Sequence, residues 1–170
     1  VYACAAYNLE AVDLVLNGVT KLAPSPVAIT ETAKNADGEE VELSCDENGP
    51  LAAICFKTVS SATGNLSFVK VVSGKITPDT PCYCANTEKT QRMGKLSFPK
   101  GGVVEDAAAL VAGDIGVIGK LDNVNTGDTI SSDKEPLILD GPVFPAPCLE
   151  RAIFPKTRGE EEKVATAIRK

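Results

Sequence analysis

Turn signals punctuate residues 51–140 at short intervals: Ser60 to Asn65, Ser73-Gly74, Thr77-Pro78-Asp79, Gly101-Gly102, Gly113-Asp114 and Gly127-Asp128. Glycine, proline and the small polar residues break regular structure for distinct steric reasons, so this spacing limits each element to a few residues. The runs between them favour strands. Leu51–Lys57, Leu66–Val72, Thr80–Ala85, Gln91–Phe98, Ile115–Leu121 and Thr129-Ile130 carry the β-branched and aromatic residues that suit a pleated surface. No stretch between them has the length and period of a helix. The pattern predicts a mainly β fold, a small closed antiparallel β-barrel over residues 51–142, because closure removes exposed sheet edges.

The flanks read differently. Val1 to Ala6 is short and apolar, like the end of a buried strand. Leu9, Val12, Leu16, Val19 and Leu22 then recur at three- and four-residue steps, which predicts a helix with one apolar stripe and Asn8 as its N-cap. Pro24-Ser25-Pro26 ends it, since a residue before proline is pushed to extended geometry. Residues 27–50 hold turns at Asn35 to Gly38 and at Asp46 to Pro50, and read as a surface linker with short strands around Val41 to Ser44. Beyond Gly141, a proline-rich connector leads to an alternating run, Cys148–Phe154, expected as a strand. A helix follows, with Glu160, Glu161 and Glu162 at its positive end and Val164, Ala167 and Ile168 on its apolar face. One strand and one helix cannot bury a core, so residues 143–170 are expected to be an incomplete unit. The chain starts at Val1 without a methionine and stops at Lys170 within a helical pattern, which suggests a piece of a longer protein.

Several chemistries lack their residues. The chain has no His, and its six cysteines, Cys4, Cys45, Cys55, Cys82, Cys84 and Cys148, form no C-x-x-C pair. Zinc ligation and His-assisted nucleophilic catalysis therefore lack their usual donors, and no metal site is expected. The cysteines read as small buried hydrophobes of a reducing compartment. No G-x-x-x-x-G-K-[ST] phosphate loop and no G-x-G-x-x-G is present. Glu105 and Asp106 are adjacent, so on a strand they face apart and make a poor acid–base pair. No apolar run is long enough for a transmembrane helix and no signal peptide is visible.

The net charge of −6 argues against a general nucleic-acid binder and against DNA. Its distribution is uneven, however. Residues 51–101 contain seven basic and two acidic groups inside an acidic whole. Lys89, Arg92, Lys95 and Lys100 cluster within Thr87–Gly101, opposed only by Glu88. Such a cluster either protects a strand edge or neutralises phosphates.

Read together, three stretches resemble the elongation factor G family. The first runs from Ile54-Cys55-Phe56-Lys57 through Gly64-Asn65-Leu66-Ser67-Phe68 to Ser73-Gly74-Lys75. The second runs from Ala112-Gly113-Asp114 to Gly127-Asp128-Thr129-Ile130. The third runs from Phe144-Pro145-Ala146-Pro147 to Phe154-Pro155-Lys156-Thr157 and on into Glu160–Lys170. Val1–Pro26 is similar to the last strand and helix of that family's GTP-binding domain. The resemblance implies a division into the end of a GTP-binding domain (1–26), a linker (27–50), a second-domain β-barrel (51–142) and the start of a ferredoxin-like third domain (143–170). It implies a parent GTPase that uses GTP and Mg and drives translocation on the ribosome in the cytoplasm. The fragment itself would be non-catalytic and cofactor-free, with its barrel on small-subunit rRNA through Lys89, Arg92, Lys95 and Lys100. Its partners would be the ribosome and the remaining domains of the parent.

The sequence departs from the family at named positions. Ala5 and Ala6 stand where the family has the Ser-Ala of its guanine-contact loop, and Ser60-Ser61-Ala62 replace its Asp-Pro-Phe. These departures leave open a divergent paralog of the ribosome-protection or ribosome-recycling type. A free-standing barrel holding a cofactor such as a flavin is the alternative from another class.

Overall fold

The computed structural model describes residues 1–61 and 64–168. The turn expected at Ser60 to Asn65 falls partly on Ala62 and Thr63, outside the described residues. A 3₁₀ turn (Ala6–Asn8) precedes helix α1 (Val12–Leu22), and a second (Pro26–Ala28) follows it. Strands β1 (Glu31–Lys34) and β2 (Glu40–Leu43) come next. Two long strands, β3 (Ala52–Ser61) and β4 (Gly64–Ser73), form the centre of the molecule. After them come β5 (Lys75–Ile76), β6 (Pro81–Cys84), β7 (Lys89–Arg92), β8 (Leu96–Lys100) and β9 (Val103–Asp106). The series closes with β10 (Leu110–Val111), β11 (Ile115–Gly119), β12 (Thr129–Ser131), β13 (Ile138–Leu139) and helix α2 (Glu161–Ile168).

Eight strands hydrogen-bond in the order β7-β6-β12-β3-β4-β11-β8-β9, and every pairing is antiparallel. This ladder curls around one core, in which Val69 and Val71 of β4, Cys82 and Cys84 of β6, Ile118 of β11 and Ile130 of β12 meet. The outer strand β7 is tied to the loop after β11, where Gln91 accepts from the Asn123 N–H at 2.9 Å, and the pairing of β11 with β8 is extended by the Gly119 N–H, which donates to the Lys95 carbonyl at 3.1 Å. A Cβ on Gly94 would run into the Gly119 carbonyl, so only glycine allows this approach. The same glycine splits Gln91–Phe98, expected as one strand, into β7 and β8.

A second, smaller sheet, β13-β1-β2, covers the outside of β3 and β4. Strand alternation makes this possible. Ala53 and Cys55 point into the barrel core, while Ala52 and Ile54 meet Ala33, Leu43, Leu137 and Leu139 on the other side. The stretch expected as a surface linker thus contributes two strands and part of a core. A β-bulge at Phe56 breaks the β3–β4 register between Cys55 and Lys57 and leaves Phe56 outward, 38% exposed.

The flanks differ from expectation in three ways. Helix α1 begins at Val12, not next to Asn8, because Ala5 and Glu10 exchange two backbone hydrogen bonds of 3.1 Å and turn the chain back on itself. This forces Leu9 and Ala11 into the left-handed region, at φ 60° and 56°. Val1 to Ala6 forms no strand beyond that single bridge and is not buried. Cys148–Phe154 is also unpaired and exposed, since its backbone finds no strand to bond among the described residues. The apolar stripe of α1 faces solvent: Leu16, Val19 and Leu22 are each more than half exposed.

Candidate nucleic-acid interface

Four cations were expected to act together, and the structure divides them into two pairs. Lys89 and Arg92 are the ends of β7, an outer strand of the ladder, registered against Cys84 and Pro81 of β6. Both are exposed, and neither has a carboxylate partner among the described residues. They sit three positions apart, so on an extended strand they leave opposite faces and project on either side of the edge. The loop Ala85 to Glu88, with Glu88 at φ 55°, delivers Lys89 to this edge.

Lys95, just before β8, and Lys100, its last residue, are already paired. Lys95 lies 2.6 Å from Asp106 and Lys100 lies 2.7 Å from Glu105. The carboxylates that looked idle in the sequence therefore neutralise half of the basic cluster. They do so through β9, which registers Phe98 against Glu105 and Ser97 against Asp106. Nothing in the local sequence pattern announced this strand. All four groups remain more than half exposed, so water screens these pairs and they hold their cations only loosely.

The remaining candidates lie elsewhere. Ala5 donates its N–H to Glu10, and Ala6 opens the first 3₁₀ turn. Neither belongs to the eight-stranded ladder that carries the basic edge. A further cation escaped the sequence reading. Lys57, placed by the Phe56 bulge, holds its ammonium 5.8 Å from the centre of the Phe68 ring. Phe56 and Phe68 lie 6.4 Å apart in a tilted pair. Only the adjacency of Phe56 and Lys57 on a β run hinted at it, because bulges leave no reliable mark in a single sequence.

The barrel interior is filled. Its buried side chains come from β3, β4, β5, β6, β8, β10, β11 and β12 together with Met93, Leu121 and Val124. No group of carboxylate, thiol or imidazole side chains among the described residues is placed to hold a metal ion. No helix among them is long and apolar enough to cross a membrane.

Residues 64–131, from β4 to β12, match the family model described as Elongation factor Tu domain 2. A solved structure from Thermus thermophilus superposes on the chain with a TM-score of 0.68 at 20% sequence identity. The match covers 94% of this chain and 22% of that one, so this chain spans less than a quarter of the length of the protein it resembles. The fold is accordingly mainly β, of the elongation factor Tu domain 2 type.

Proposed function

We propose that this chain is a non-catalytic docking unit of a cytoplasmic translational GTPase of the elongation factor G kind, in which the barrel sits against small-subunit ribosomal RNA. The observation that supports this most is the match of β4 to β12 to a translation-factor second domain. In this reading GTP and Mg belong to the parent protein, and Ala5 and Ala6 are the remnant of its guanine-contact loop. The barrel works by position. It offers a rigid packed body and a charged edge, and the flanking segments 1–26 and 143–170 join it to the remaining domains. Whether the parent is the main translocase or a ribosome-protection or recycling relative does not alter this role.

Within the basic cluster, Lys89 and Arg92 are the better phosphate ligands. Each can meet a phosphate without first giving up a carboxylate, whereas Lys95 and Lys100 must each leave a partner within 3 Å. Co-sedimentation of the chain with small ribosomal subunits across a salt series tests the reading. Binding is expected to weaken steeply with salt. Lys89→Glu with Arg92→Glu should lower the slope of log affinity against log salt by roughly 1 to 2. Lys95→Glu with Lys100→Glu should have the smaller effect. An affinity and slope unchanged by the first pair would remove this edge from the interface.

A further inference from the structure

Of the two outermost strands of the ladder, one is guarded and the other is open. A strand edge presents unpaired N–H and C=O groups to any extended chain, and free cations on it are a usual deterrent. Strand β7 carries two, Lys89 and Arg92, both exposed and without a carboxylate partner among the described residues. Strand β9 carries none. All four of its residues are exposed, Val103 at 63% and Val104 at 49%. Its two charges are neutralised within the hairpin, Glu105 by Lys100 and Asp106 by Lys95.

The register shows which backbone groups are free. The Ala107 N–H donates to the Leu96 carbonyl at 3.0 Å, so these two residues form a hydrogen-bonded pair. Bonded and non-bonded pairs alternate along an antiparallel ladder. Glu105–Phe98 and Val103–Lys100 are therefore bonded pairs, and Asp106–Ser97 and Val104–Pro99 are not. Pro99, which has no N–H to give, fits the second class. The N–H and C=O groups of Val104 and Asp106 thus point away from β8. No strand or other backbone group among the described residues meets them.

These groups recur at the spacing of an extended chain, and another strand answers them in order. Strand β9 is itself such a strand. Turned end for end about a two-fold axis, it sets Val104 opposite Val104 of a second copy, both with their backbone groups facing the seam. In that register Glu105 falls opposite Val103, and Asp106 falls opposite Gly102. No two like charges then face each other, and the β-branched residues lie side by side.

We propose that β9 is a self-pairing edge, through which two copies of this chain join antiparallel, β9 to β9, in an isologous dimer. The interface is small, so the dimer is weak and forms at high protein concentration. It does not depend on RNA binding, and it holds whether or not Lys89 and Arg92 meet phosphates.

Sedimentation of the full chain over a concentration series, without RNA, tests it. The mean mass should climb from that of one chain towards that of two. Val104→Pro removes an N–H that β8 does not use. By symmetry it deletes two bonds of the dimer, so association should weaken about tenfold or more. Val104→Lys gives β9 the guard that β7 has and should weaken association as much, which keeps the test decisive if the proline variant unfolds. In amide spectra of the unaltered chain, Val104 and Asp106 should shift with concentration more than Val103 and Glu105. A chain still monomeric at about 1 mM would overturn the proposal. So would a dimer equally strong in Val104→Lys, which would place the contact on another face.

Discussion

Val69 and Val19 are the same residue in one chain with opposite surroundings: Val69 is fully buried in β4, and Val19 is 56% exposed on α1. Each belongs to a regular apolar pattern. In the barrel the pattern is matched by other patterns, so β3, β4, β11 and β12 complete one another's core. On α1 and along Cys148–Phe154 it is matched by nothing among the described residues. Periodicity shows that a face is apolar; only the rest of the fold shows what covers it.

The sharpest way to break this comparison is to delete the same kind of side chain on both sides. Ile118→Ala empties space in the barrel core and should cost about 2–5 kcal/mol of unfolding free energy. Leu16→Ala on α1 should fall within about 0.5 kcal/mol, as for other exposed positions. Urea denaturation of the two variants measures both. A Leu16→Ala loss comparable to that of Ile118→Ala would mean that α1 is packed after all.

The thiols sharpen the comparison through pH. Burial pushes Cys82 up to about 12 from an ordinary value of 9.0, helped by nearby Cys84 and Cys55, and raises Cys55 as well. The folded barrel therefore keeps its protons where the unfolded chain would release them. The stability contributed by these groups is whole below pH 9.0 and falls as pH rises towards about 12. Denaturation midpoints should be flat with respect to these thiols through neutrality and decline in that alkaline window. Thiol-reactive reagents at neutral pH should modify exposed Cys4 and Cys148 and spare Cys55, Cys82 and Cys84. Early modification of Cys82 would contradict the packed core.

The smallest effect belongs to the surface pairs. Removing Lys95–Asp106 or Lys100–Glu105 by double substitution should change stability by less than about 1 kcal/mol, because both are well exposed and screened. A double-mutant cycle on β8–β9 reads it. A larger coupling would mean that the hairpin holds those two lysines firmly.

Much of the barrel was legible because turn chemistry and β-branched runs are local signals. Thr129-Ile130 and Ile115–Leu121 lie within a residue or two of β12 and β11. The two-residue strands β5, β10 and β13 were not legible, since each exists only by virtue of its partner. Strand β2 lies where a short strand was expected around Val41 to Ser44, whereas β1 read as linker because its one apolar residue, Ala33, sits among polar and charged neighbours. The basic cluster was visible in sequence, but its division was not. Asp106 neutralises Lys95 across a hairpin, and pairing of that kind is a property of register. The Phe56 bulge, which sets Lys57 beside Phe68, also has no local signature.

Both cores lie within the β unit, and the flanks add little to them. Denaturation of a chain trimmed to residues 24–140, compared with all 170, tests this most directly. Unfolding free energies should agree within about 1 kcal/mol, against the roughly 5–15 kcal/mol typical of a domain. A trimmed chain that loses several kcal/mol, or fails to fold, would contradict it.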